Sequence, residues 1–394
     1  MIKIEYPQNT NWDELLIPWI DSILSFSNLL NKRDSSSGQF VFPRKKVKGR
    51  IVVNVSIDFN IKTPGKSSQK IIIPKNVIDI LSDKNRILKI LLSLTDELES
   101  NQDGIELNKY AKKTGKEYQL ISSLFSYNDF SNNQVHTWFF DETNNFLYRK
   151  RGKKCMSNAS WSRKWYQNQL SMTKACPYCN LEYIECITDI RRPNESPKTV
   201  DWQIDHFLSK KEYPCYSISI FNLIPVCFVC NTIFKGDTRF TTNDYLSPYL
   251  LSFHNIAHFE FDFTNVEFLS HPDKGSVIIS LVDGDEPHSK EDFQKAINTC
   301  DFFGLKDRIS QGYSDYISEV LQKCLEYPRE YDEYLQNAFD ISKEDIQRLI
   351  FGNYTSPKDI NKRPLSKVTI DMLRQYGHLK WAYGEWDEHY PFWK

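Results

Sequence analysis

The sequence predicts an α+β protein whose middle differs from both flanks. Three observations predict it. Apolar residues recur at helical spacing toward both ends, β-branched runs bounded by turn residues interrupt the first helical region, and two Cys-x-x-Cys pairs lie only in the middle. The divisions that follow are 1–145, an accessory region of hairpin plus helices; 146–245, a cysteine-bearing module; and 246–394, a mostly helical region. A length of 394 residues suits two or three domains.

Taken in order, residues 12–31 carry a helical apolar stripe that Asn11 is placed to cap. Asp34 to Gly38 reads as a polar loop. Residues 51–62 and the KIIIP run that follows TPGKSSQ predict a hairpin with an edge strand that Pro74 ends. Residues 75–99 return to a helical period, and NQDG at 101–104 reads as a stop and turn. Residues 244–263 and 276–285 read as strands and connectors, and the chain is helical from about Glu291 onward. The tail KWAYGEWDEHYPFWK, rich in Trp, suits docking against the body or, in a sharper reading, a partner.

Composition excludes some classes. Aromatic residues at 14% argue for folded domains over disorder, and a net charge of −1 excludes a uniformly basic coat but not a local patch. The first residues carry acids and lack an apolar run, and no stretch offers the roughly 18 apolar residues of a membrane helix. A soluble, cytoplasmic protein is the expectation, and its nine cysteines then call for something other than a disulfide framework. One local patch does stand out. Arg149, Lys150, Arg151, Lys153, Lys154, Arg163 and Lys164 fall among few acids and beside Trp161, Trp165 and Tyr166. They suit a solvated helix face over buried aromatics, or a surface that binds nucleic-acid phosphates.

Cys176–Cys179 and Cys227–Cys230 form two knuckles whose four thiolates can close one tetrahedral site, the structural zinc pattern. Such a site is coordinatively full, so this metal is not the catalyst. Cys155, Cys186, Cys215, Cys300 and Cys324 read as small buried apolar residues, and His254, His258, His271 and His288 as surface or satisfied core histidines. Between the knuckles stand Asp205, His206 and Asn222, and directly after them Asn231 and Lys235. An Asp supplies a hard oxygen ligand for Mg2+, and a neutral His takes a proton from water near pH 7. On a regular strand, Asp205 and His206 would face opposite ways, so a strand end or twist must bring both to one site. Lys235 follows Asn231 by one helical turn and shares its face.

These residues resemble the HNH endonucleases, the ββα-metal or His-Me finger class. The resemblance is to the zinc-bearing subgroup, carried by Cys176–Cys179, Asp205-His206-Phe207, Lys210, Tyr213-Pro214, Asn222-Leu223, Cys227–Cys230-Asn231 and Lys235-Gly236. It covers roughly a sixth of the chain; Ser209 stands where a Pro is common. It implies a central ββα-metal nuclease module with a four-cysteine zinc site. It implies His206 as general base, Asp205 and Asn231 as ligands of one Mg2+ or Mn2+, Asn222 as the residue that orients the loop and the His206 ring, and Lys235 as a phosphate contact. Similar nucleases occur beside ATPases in prokaryotic anti-phage systems of the Septu and retron kind. The expectation is therefore a metal-dependent nuclease acting on DNA, with a regulatory ATPase as partner and self-assembly open. No Walker A pattern occurs in this chain, so a nucleotide-driven step needs a second protein. RNA such as tRNA is the alternative substrate, and a non-catalytic zinc-stabilised binding module the alternative class.

Overall fold

The computed structural model describes residues 3–4, 12–31, 45–47, 50–56, 68–112, 115–141, 146–154, 166, 173–185, 187–190, 198–200, 202–272, 276–284, 286–327 and 330–376. Asn11, the 34–38 loop, Arg163, Lys164, Cys155, Cys186, Trp161, Trp165 and the Trp-rich tail lie outside them. Among the described residues the fold is mixed α+β, with helices dominant and the sheets small. No described helix is long and apolar enough to cross a membrane.

Helix α1 (Trp12–Asn31) buries Leu15, Trp19, Ile23, Phe26 and Leu30, the stripe its spacing predicts. It packs on a five-stranded sheet, with the Phe26 and Trp138 rings 4.8 Å apart. The sheet comprises β1 (Lys45–Val47), β2 (Arg50–Ser56), β3 (Ser68–Ile73), β4 (Gln134–Asp141) and β5 (Phe146–Lys154). Strand β2 runs antiparallel to β1 and β3 and meets β5 in parallel at Val55–Leu147, while β4 and β5 form a hairpin. The expected hairpin is β2–β3; among the described residues β3 pairs with β2 alone, and Pro74 follows its last residue.

Two expectations change here. The basic run 149–154 lies on β5 and not on a helix; Lys150 is exposed there, its ammonium 5.3 Å from the Phe139 ring centroid. The stretch 75–99 is not one helix but α2 (Lys75–Leu81), α3 (Lys84–Leu92) and α4 (Thr95–Ser100). Asp83 restarts the helix by accepting from the Asn85 and Arg86 amides, as an N-cap does. NQDG likewise ends one helix and starts another. Asn101 closes α4 and caps α5 (Gln102–Ala111), its side chain accepting from Gly104 N, so Gly104 sits inside a helix. Helices α6 (Gly115–Leu124) and α7 (Tyr127–Ser131) complete the region.

In the middle, β6 (Ile187–Ile190) pairs with β7 (Lys198–Val200), and β8 (Gln203–His206) with β9 (Leu223–Val226), both antiparallel. A helical segment, Val229–Lys235, follows β9 and has π rather than α geometry, with Gly236 N donating to Asn231 O. The loop between β8 and β9 is clasped by the N-terminal helices. Ser219 Oγ donates to Ile90 O at 2.9 Å, Tyr216 OH to Leu98 O at 2.6 Å, and Cys215 N to Asn108 Oδ1 at 3.3 Å.

The last region holds β10 (Ala257–Phe263) paired with β11 (Val277–Asp283), and α8 (Phe253–Ile256), α9 (Lys290–Phe302), α10 (Leu305–Gly312), α11 (Ser314–Glu326), α12 (Glu330–Phe339), α13 (Lys343–Phe351) and α14 (Ser366–Gln375). One buried apolar cluster runs from Ile4 through Phe207 and Cys230 to Leu373. Among the described residues this large cluster takes side chains from all three regions drawn from composition, and a small second one joins Ala175, Ile360 and Ile370.

Candidate active site

The four knuckle cysteines meet. Cys176, Cys179, Cys227 and Cys230 are buried, and their sulfur atoms lie within 4.8 Å of one another. Backbone amides already point at these sulfurs: Leu181 N at 3.3 Å from Cys179 Sγ, Cys227 N at 3.4 Å from Cys176 Sγ, and Cys230 N at 3.4 Å from Cys227 Sγ. Burial pushes the Cys176 thiol up. At Cys179 burial acts the same way, but hydrogen bonds from the other three thiols and the Arg308 guanidinium hold it well below the usual thiol range. Four thiolates this close repel one another unless a cation sits among them. The donor set suits a metal such as zinc, and Arg308 of α10 donates to Cys230 Sγ at 3.7 Å from outside it.

Strand β8 ends at His206, which resolves the two-face problem. Asp205 and His206 are both buried, at 4% and 7% exposure, yet both line a cavity of about 360 Å³ with Asn231, Lys235 and Lys210. His206 Nε2 lies 3.0 Å from Ser217 O. A carbonyl only accepts, so Nε2 carries the proton and the lone pair is left on Nδ1. Burial, and then the nearby Lys210 ammonium, push the imidazole pKa down to about 3, so the ring is neutral near pH 7.

Asp205 is held by two groups. Tyr178 OH donates to Oδ2 at 2.7 Å, and Lys235 Nζ to Oδ1 at 2.9 Å. Tyr178 is the residue between Pro177 and Cys179, so the cysteine knuckle itself fixes the carboxylate. Lys235 is 2% exposed and also donates to His206 O at 2.8 Å. This differs from the expectation of a phosphate-contacting lysine. The π-segment carries the ammonium inward, where burying it is tolerable only against an opposite charge.

Asn222 is fully buried and bonds Leu208 N at 2.7 Å, Leu208 O at 3.0 Å and Tyr216 O at 3.0 Å. It orients the loop, as expected, and it touches His206 only indirectly, by fixing the residue before Ser217. Asn231 gives its Nδ2 to Gln203 Oε1 at 2.7 Å. That bond leaves Asn231 Oδ1 without a hydrogen-bond partner among the described residues. Each Asp205 oxygen keeps a second lone pair. Asp205 and Asn231 thus put one carboxylate and one amide oxygen on a common cavity, oxygen donors of the type that Mg2+ and Mn2+ take.

Sequence reasoning misses Tyr178, Gln203 and Ser217, since no spacing marks a residue that acts by touching another. Of the remaining cysteines, Cys215, Cys300 and Cys324 are buried, as expected. A second buried group, His254, His258 and Asp371, has metal-like spacing. Lys367 Nζ fills it, 2.7 Å from Asp371 Oδ1 and 3.2 Å from each histidine Nδ1. These are satisfied core histidines, and the chain supplies the cation. His288 bonds Asp283 at 2.6 Å and His271 bonds Ser270 at 3.0 Å. Compared with family models, curated proteins and solved structures, the chain shows no match, so what the site can do is argued from its own geometry.

Proposed function

We propose that this protein is a metal-dependent endonuclease of the HNH type that hydrolyses phosphodiester bonds, with DNA as substrate. The observation that carries this reading is the convergence of Asp205, His206 and Asn231 on one cavity. The succession β8, β9, helical segment has the ββα order of that class.

In this reading the four-cysteine group holds structural zinc and the pair Asp205–Asn231 holds Mg2+ or Mn2+. The divalent ion, when bound, stabilises charge on the phosphate and on the leaving oxygen. His206 takes a proton from water at Nδ1, while Ser217 O keeps Nε2 protonated and the ring oriented. Tyr178 and Gln203 hold the two ligand side chains in place. Asn222 keeps the loop that carries Ser217 from drifting.

Restraint by a regulatory ATPase, in the manner of an anti-phage defence effector, is the wider proposal. It is supported by the sequence resemblance. The test incubates the purified protein with plasmid DNA, single-stranded DNA and RNA, with Mg2+ or Mn2+ and with EDTA. Cleavage that needs the ion and vanishes in His206→Ala, with metal content and fold unchanged, is the expected result. His206→Ala cutting at the wild-type rate would overturn the assignment of the base. Preferential cleavage of RNA would favour the alternative substrate.

A further inference from the structure

With Lys235 buried on Asp205, a side-chain cation that meets a phosphate beside the metal must come from elsewhere on the cavity. Lys210 is exposed and lines the same cavity. Its ammonium lies 5.2 Å from the centroid of the Tyr127 ring. The same ring stands edge-on to the His206 imidazole, with centroids 4.6 Å apart and planes at 82°. Tyr127 opens α7 and so belongs to the N-terminal region. Two residues earlier, Phe125 O accepts a hydrogen bond from Ser217 Oγ, and Ser217 O in turn receives His206 Nε2–H. Residues 125–127 thus support the imidazole from two directions.

We propose that Lys210, seated on the Tyr127 ring, is the cation that grips the phosphate entering the cavity, and that Tyr127 is the positioning residue for both Lys210 and His206. This rests on the nuclease reading. The other two lysines that line the cavity are already engaged: Lys211 with Asp237, and Lys235 with Asp205 at 2.9 Å. Lys210 has no carboxylate at ion-pair distance among the described residues. An aromatic face restrains an ammonium without consuming its N–H donors, which stay available to phosphate oxygens. Away from the cavity lining, Arg239 also lies 5.8 Å from a ring centroid, that of Tyr213, and donates to its hydroxyl at 2.9 Å. Cations alternating with aromatic rings suit a nucleic-acid strand. The N-terminal region thereby completes the site instead of merely flanking it.

The test measures fluorescence anisotropy of a labelled DNA oligonucleotide with His206→Ala protein over a range of salt. Adding Lys210→Met should weaken binding about tenfold and make the slope of log K against log salt shallower by about one. In the enzyme with His206 intact, Tyr127→Leu should lower kcat about tenfold, and the ring-retaining Tyr127→Phe should recover most of it. Intact binding with an unchanged salt slope in Lys210→Met overturns the inference alone. Equal loss in Tyr127→Phe and Tyr127→Leu overturns the role of the ring. A wild-type protein that neither binds nor cuts nucleic acid with Mg2+ or Mn2+ overturns the nuclease reading, and the inference with it.

Discussion

Removing the Lys235 ammonium would leave the Asp205 carboxylate, 4% exposed, without its countercharge. Breaking a buried pair from one side costs more than deleting a surface contact, so Lys235→Met should destabilise the protein by about 3–5 kcal/mol in urea unfolding. If Asp205 binds a divalent ion, added Mg2+ or Mn2+ should restore part of that loss. A change within about 0.5 kcal/mol, the size of a surface substitution, would show that the pair is not buried in solution. The buried histidines give a second residue-scale prediction. Burial, and then the nearby ammonium, push His254 and His258 below their ordinary value of 6.5; for His206 the first cause is also burial. Burial pushes Asp371 up, but Lys367 and the His258 hydrogen bond outweigh it and hold its carboxyl low. A histidine with a depressed folded pKa contributes stability that is complete above its ordinary value. That stability drains as the pH falls toward the folded value. Asp371 adds a further loss below the usual carboxylate range. Thermal denaturation should therefore show Tm falling steadily from about pH 7 to about pH 4, and a flat profile would contradict the burial of these rings.

At the scale of elements, α5 shows why a turn signal became a helix. Asn101 supplies the cap, and Gly104 is needed not for its backbone freedom but for its missing side chain. A Cβ there would overlap Tyr216 Oη and the ring behind it. Tyr216 in turn anchors the β8–β9 loop to Leu98 O. Gly104→Ala gains about 1 kcal/mol of helix propensity but forces the ring away at a cost of about 1–3 kcal/mol. The balance should be a net loss, read as a lower midpoint in urea with reduced cleavage, since the displaced loop carries Ser217. A stabilised Gly104→Ala protein would mean that the contact is absent. The π-geometry of Val229–Lys235 acts on the same scale. Spacing alone places Asn231 on the first turn of an ordinary helix, with Lys235 one turn on along the same face and free to meet a phosphate. The π segment leaves both Asn231 and Lys235 on the cavity, with the Lys235 ammonium turned onto Asp205, and π-turns are frequent at functional sites.

For the whole molecule, the large cluster shared by the three regions means that they should unfold together. The cysteine group sits where the middle and last regions meet. Asn180, directly after Cys179, donates to Ile360 O at 3.0 Å and accepts from Lys367 N at 2.8 Å, while Arg308 reaches Cys230 from α10. Cys227→Ser should therefore lose the metal and lower the cooperative unfolding transition of the entire chain, without leaving stable flanking domains. Zinc analysis beside calorimetry checks this. A metal-loaded Cys227→Ser protein with wild-type Tm would remove the structural role of the site.

Much of this protein is legible in its sequence because the signals are short-range. The stripe of α1, the β2–β3 hairpin and the cysteine knuckles follow from spacing, which is set by turn geometry within a few residues of chain; Asp205, His206 and Asn231 are picked out by residue type and by the family resemblance. Residue type and order were enough to name the candidate ligands and the candidate base. What each polar atom faces came only with the folded chain: Lys235 toward Asp205 rather than solvent, Tyr178 as the brace of the carboxylate, Tyr127 and Ser217 around the imidazole, and the basic run 149–154 on a strand. Hydrogen bonding, burial and charge pairing depend on partners far apart along the chain, and no local period records which of them will meet.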